Sequence, residues 1–169
     1  MKVLIVSSYD KSIFPYLDTV TFFDYLVKEV GIIKDNIVFY GRTEIEARID
    51  FYDIFGELCE KTKGEPLIIY YSGHGFYDGW DLNKKVFVPY EVLMHFLQRR
   101  NAPLIFINDC CFGMAVTDPF EKLKYDKMVI GLAPKDLEGQ SDYHGSFLLP
   151  EILKYWRKYT FANPRFKFK

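Results

Sequence analysis

Two rhythms of apolar residues divide the chain. Lys2–Ser7 carries Val3-Leu4-Ile5-Val6 without a polar break, which predicts a strand covered on both faces. From Tyr16 to Val30 the apolar residues (Leu17, Val20, Phe22, Phe23, Leu26, Val27, Val30) recur at helical spacing, with Gly31 placed to cap the end. Asn36–Tyr40 predicts a short strand. Thr43–Glu60 predicts a second helix, with Ile45, Ile49, Tyr52, Ile54, Phe55 and Leu58 facing inward. A turn at Gly64-Glu65-Pro66 then precedes a third apolar strand, Leu67–Tyr71.

The second half repeats the scheme. Ser72-Gly73-His74-Gly75 is a small-residue turn, and Asp78 to Asn83 reads as a polar loop. Pro89–Arg100 predicts a helix, Leu104–Asn108 a strand, Met128–Leu132 another strand, and Ser146–Tyr159 a last helix. Strands alternating with helices predict a single three-layer α/β/α domain around a mostly parallel sheet. With 169 residues and no repeat, low-complexity tract or long linker, the expectation is one domain over residues 1–169.

Composition narrows the classes of function. The chain is 49% hydrophobic and 27% charged with a net charge of −1, so charge balance offers no attraction for nucleic acid or acidic lipid. The opening apolar run is too short for a signal peptide, and no run reaches the ~20 apolar residues of a membrane helix. Of the three cysteines, Cys110 and Cys111 are adjacent and poorly placed for a structural bridge. Reduced thiols in a cytoplasmic protein are the expectation.

The chemistry-bearing residues cluster at two strand ends. In an open parallel sheet, function gathers at the carboxyl ends of the strands. Leu67–Tyr71 runs into His74 and Leu104–Asn108 runs into Asp109-Cys110-Cys111. A thiol attacks only as a thiolate, so it needs a nearby base, and an imidazole can take that proton and later return it to a leaving amine. Glycines beside the histidine let substrate approach and free a backbone N–H for a developing oxyanion. Either Cys110 or Cys111 could be the nucleophile on this reading. Cys59 lies in an amphipathic segment and is expected in the core. A zinc site from His74, Cys110 and Cys111 is disfavoured by the adjacent cysteines and the absence of any CxxC pair. His95 falls within a helix and His144 in a loop. A nucleotide-binding reading lacks a glycine-rich loop after the first strand, which continues Ser7-Ser8-Tyr9-Asp10.

Tyr71-Ser72-Gly73-His74-Gly75 and Asp109-Cys110-Cys111-Phe112-Gly113 resemble the histidine and cysteine motifs of the caspase/metacaspase clan of cysteine peptidases. Leu17-Asp18 with Phe22, Leu26 and Gly31 resembles the first-helix signature, and Gly145-Ser146-Phe147-Leu148-Leu149 the start of the last helix. The resemblance spans roughly residues 2 to 158. Animal caspases have Gln-Ala-Cys at the nucleophile with the histidine about 50 residues upstream. The 37 positions from His74 to Cys111 resemble the metacaspase branch instead.

The resemblance implies a caspase-like fold, with residues 1–113 corresponding to the large subunit and 128–169 to an abbreviated small subunit. It implies a cysteine endopeptidase in which Cys111, two residues after Asp109, attacks the scissile carbonyl and His74 shuttles the proton. The N–H groups of Gly75 and Cys111 would form the oxyanion hole. Asp18 and Asp109 fall where metacaspases place carboxylates lining the S1 pocket, and Asp136 follows the fifth strand near the same cleft, so a basic residue before the scissile bond is expected. The plainer reading of Asp18 is a carboxylate at a helix N-terminus. No cofactor or metal is expected for the chemical step. Some metacaspases are calcium-activated through acidic loops, but the spacing of Asp78 and Asp81 establishes no such site. The expected partner is a peptide or protein substrate, with no nucleic acid or membrane. The alternative is an inactive caspase-like module that binds or regulates.

Overall fold

The computed structural model describes residues 1–8, 14–43, 45–46, 50–83, 86–133, 141–142 and 145–159. In chain order the elements are β1 (Lys2–Ser7), α1 (Phe14–Tyr25), β2 (Ile37–Tyr40), α2 (Phe51–Lys61), β3 (Leu67–Ser72), β4 (His74–Phe76), β5 (Gly79–Asp81) and β6 (Phe87–Pro89). They continue with α3 (Tyr90–Leu97), β7 (Leu104–Asp109), α4 (Thr117–Phe120), β8 (Lys127–Gly131), β9 (Ser141–Asp142), β10 (Gly145–Ser146) and α5 (Leu148–Tyr159).

Among the described residues five strands form one sheet in the order β2-β1-β3-β7-β8, and every neighbouring pair in it is parallel. The fold is therefore α/β. β1 and β3, uninterrupted apolar runs, occupy the interior of this sheet, and β3 is buried along its whole length. One face packs Val3, Ile5, Tyr70 and Ile107 against Phe22 and Leu26, and against Leu149 and Leu153 of α5. The other packs Leu4, Val6, Tyr71 and Phe106 against Phe55 of α2, Leu93 of α3 and Trp80 of β5. The alternation of side chains along each strand sends successive residues to opposite cores. Among the described residues no helix is long and apolar enough to cross a membrane.

Several element boundaries differ from the sequence expectation, each for a local reason. The first helix widens into a π-helical turn at Leu26–Val30, closed by Gly31 at φ 79° with its N–H bonded to the Leu26 oxygen. The second helix starts at Phe51, because Asp50 caps it by accepting the Tyr52 N–H at 2.8 Å. A cap of this kind stabilises a helix by about 1 kcal/mol. Ile45, expected on the inner face, is exposed, and Ile49 lies outside the described residues. The stretch read as a polar loop after His74 is instead a three-stranded antiparallel sheet, β4-β5-β6. Trp80 anchors it by stacking on Tyr71 with ring centroids 4.2 Å apart. Residues 160–169 lie outside the described residues.

Candidate active site

The parallel register of β3 and β7 places the two chemistry-bearing strand ends side by side. Ser72 stands opposite Asp109, and the Gly73 N–H donates to the Asp109 oxygen at 3.4 Å. One step further, Gly75 lies against the cysteine turn. A Cβ on Gly75 would fall 2.3 Å from the Cys111 carbonyl oxygen and 2.4 Å from the Cys110 sulfur. Only a glycine lets β4 approach that closely. His74, on the exposed side of β4, and Cys111, partly exposed on the turn after β7, thus flank one short stretch of the sheet's carboxyl end. The Tyr71 hydroxyl donates to the His74 carbonyl oxygen at 2.7 Å and holds the histidine's main chain to its own strand.

The two adjacent cysteines occupy different environments. Cys110 is buried, its thiol donating to Asn108 Oδ1 at 3.4 Å with the Tyr90 hydroxyl 3.9 Å away. Burial pushes the Cys110 thiol well above its ordinary range, which leaves it protonated and unreactive. Cys59 is buried in α2, where desolvation pushes its pKa up to about 12. Of the three, Cys111 alone has part of its surface in solvent. The next residue, Phe112, has φ 55°, a left-handed conformation that costs a non-glycine residue roughly 1–2 kcal/mol. Such strain is typical of sharp turns that present a functional side chain.

Asn108, which the sequence reading passed over, organises this turn. It is fully buried, and all four of its side-chain hydrogen-bonding positions are used. Its Oδ1 accepts from Trp80 Nε1 at 2.7 Å and from the Cys110 thiol, while Nδ2 donates to the Tyr90 hydroxyl at 2.9 Å and the Gly113 oxygen at 2.7 Å. A satisfied buried amide of this kind fixes one arrangement of the elements it joins. Here it joins the β4–β6 sheet, α3 and the cysteine turn.

The ladder phase of β4–β6 bears on the Gly75 N–H. Phe76 faces Gly79 across the two-residue Tyr77-Asp78 turn, so that pair exchanges hydrogen bonds and the next pair, Gly75 and Trp80, does not. Pro89, which has no N–H, stands opposite Gly79 on the other side, where the same alternation requires none. The Gly75 N–H therefore points away from β5 and is not used by that ladder.

Asp18 and Asp109 come together on the α1 side of the sheet. Asp18 sits in the second turn of α1 rather than at its N-terminus, and its carboxylate accepts the Ser72 hydroxyl at 3.2 Å and the Ser146 N–H at 3.0 and 3.1 Å. Asp109 accepts the Ser146 hydroxyl and, at 2.9 Å, the Tyr70 hydroxyl. Ser146 also receives the Leu148 N–H at 2.9 Å, so one serine both caps the start of α5 and bridges the two carboxylates. Among the described residues neither carboxylate has a cationic partner. Desolvation pushes the Asp109 pKa up to about 7, with the nearby Asp18 charge adding to it, and desolvation raises that of Asp18 as well. Asp136 and His144 lie outside the described residues. Ser72, Ser146 and Tyr70 were not singled out from sequence, although Ser72 stands two residues before His74 and Ser146 opens the last helix.

No protein-family model matches the chain. No curated protein matches its sequence at a significant level either.

Proposed function

We propose that the chain is a cysteine endopeptidase with a caspase-like fold that cleaves after Arg or Lys. The observation that carries this reading is the β3–β7 register, which sets His74 and the part-exposed Cys111 just past adjacent strand ends, beside two buried carboxylates that have no cationic partner among the described residues. The order of the motifs along the chain and their resemblance to the metacaspase branch support it.

In this mechanism His74 takes the Cys111 proton, and the thiolate attacks the scissile carbonyl carbon. The N–H groups of Gly75 and Cys111 hold the oxyanion. His74 then gives its proton to the leaving amine as the C–N bond breaks. A water deprotonated by His74 attacks the thioester, releases the acid product and restores the thiol. A cationic side chain would be attracted to Asp18 and Asp109, and an arginine could engage both oxygens of one carboxylate. An acidic side chain there would be repelled and left unpaired.

The test is a panel of fluorogenic peptides with Arg, Lys or Asp before the scissile bond, run with and without calcium. Cleavage after Arg or Lys that disappears in Cys111→Ala and His74→Ala supports the reading. Cleavage only after Asp removes the specificity, and turnover that survives Cys111→Ala removes the mechanism.

A further inference from the structure

The β4–β5–β6 sheet has two faces of opposite character. Gly75, Trp80 and Val88 stand in one cross-strand row and are buried against the core. On the other face, His74, Asp81 and Phe87 form one row, and Phe76, Gly79 and Pro89 the next. Gly79 leaves its position in that row bare. The Phe87 ring lies over it, so that a Cβ on Gly79 would come 2.7 Å from the ring, and Phe87 meets Phe76 edge-on with centroids 6.1 Å apart. The two rings cover the outer face yet remain 49% and 42% exposed for Phe76 and Phe87 respectively. Two large aromatic side chains left this open, on a face shared with a histidine, require an account.

We infer that this face is a substrate subsite, in which Phe76 and Phe87 receive a bulky apolar side chain from the first two residues on the amine side of the scissile bond. The inference rests on the peptidase reading above and adds the substrate's second recognition element. His74 donates the proton to the leaving amine, so the departing segment must pass over the face that His74 occupies. Phe76 is two residues from His74 on the same strand, about 7 Å along it, which is the repeat of same-side side chains in an extended peptide. The acidic pair lies across the main sheet, on the α1 and α5 side, while Trp80 seats this small sheet against the α2 and α3 side. A substrate crossing the dyad therefore presents its cation to one side and its leaving segment to the other. The aromatic floor is held in place from beneath, since the Tyr52 hydroxyl of α2 donates to the Phe87 carbonyl oxygen at 3.3 Å.

The experiment uses the full chain and internally quenched peptides with Arg fixed before the bond, and Phe, Leu, Ala or Asp in the two following positions. For wild type, kcat/KM for the Phe and Leu peptides is expected to exceed that for Ala by about tenfold, as one apolar pocket discriminates. The Phe76→Ala/Phe87→Ala double variant should compress that ratio to below about twofold, and Phe87→Leu, which keeps an apolar side chain there, should retain most of it. Equal rates across the panel in wild type, with cleavage after Arg intact, overturn this inference and leave the peptidase reading standing. A preference that survives the double variant overturns it too. If wild type cleaves none of the peptides, both readings fall together.

Discussion

Gly75 rests on Cys110 so closely that the smallest side chain added to it would overlap the cysteine's sulfur, at 2.4 Å. The other neighbour of that added atom is the Cys111 carbonyl oxygen, which belongs to the backbone and cannot swing aside. Gly75→Ala should therefore push β4 off the cysteine turn and separate His74 from Cys111. We expect kcat/KM on an Arg peptide to fall by about a hundredfold, since small misplacements of reacting groups are costly. A fluorogenic assay, with circular dichroism to show the sheet retained, checks this, and an unimpaired variant would contradict the site geometry.

Alkylation should distinguish the three thiols. Brief treatment with iodoacetamide is expected to modify Cys111 first, because burial keeps Cys110 and Cys59 protonated and out of reach. Peptide mapping by mass spectrometry locates the adduct. A fast adduct on Cys110 would move the nucleophile assignment by one residue.

Asn108 should be far more sensitive than its position at the end of a strand suggests. Asn108→Ala leaves Trp80 Nε1 and the Gly113 oxygen without their partner in the core. Each unsatisfied group costs about 1–3 kcal/mol, so a loss of about 3 kcal/mol is expected in urea unfolding. The same variant should slow turnover, because the Cys110–Gly113 turn loses its tether. A stability change within the usual surface range would show that water or a rearrangement fills the gap.

Asp109 predicts opposite pH trends for folding and for binding. Its folded-state pKa of about 7 lies above its ordinary value of 3.8, so the native state holds a proton that the unfolded chain releases. The associated stability is complete below pH 4 and is lost as pH rises through about 7. A cationic side chain, by contrast, is held by the ionised carboxylate, so KM for an Arg peptide should fall over the same interval. Urea midpoints and KM measured from pH 5 to pH 8 test the pair of trends. Asp109→Asn should flatten both.

The segment between the cysteine turn and β8 is packed into the domain. It carries a 3-10 turn at Gly113–Val116 and helix α4, and it buries Val116, Phe120 and Leu123. The Tyr125 hydroxyl further ties it to the Leu97 oxygen at 3.0 Å. The intact chain should be active without being cut there. An inert full-length chain that gains activity only after cleavage between Met114 and Lys127 would contradict this.

How much of this was legible beforehand depended on the length of each signal. β1, β3 and β7 are buried on both faces, and such strands must be continuous apolar runs, which is how they read. His74 and Cys111 stood out because polar residues end those runs at the edge where ligands gather. The β4–β6 sheet did not, since strands of three residues carry no periodicity and Gly79 and Pro89 imitate a loop. Thr43 misled in an instructive way. It accepts the Glu46 N–H at 3.2 Å, as a helix cap would, yet the helix starts behind Asp50. Ser146 and Asn108 escaped notice because their importance lies in partners distant in sequence, which no local window contains.

The pairing of Ser72 with Asp109 has a consequence for how errors in folding would show themselves. Cys110 and Cys111 follow β7 as neighbours, one turned inward and one outward, so a slip of a single residue between β3 and β7 would turn Cys110 outward and Cys111 inward. The same slip would turn Leu104 and Phe106 out of their core, since a strand reverses all its faces at once. A misaligned chain would thus present the wrong sulfur and send the apolar residues of β7 into the wrong cores together. Thiol chemistry at this one dipeptide becomes a gauge of alignment across the whole sheet, readable in a population of molecules without any substrate.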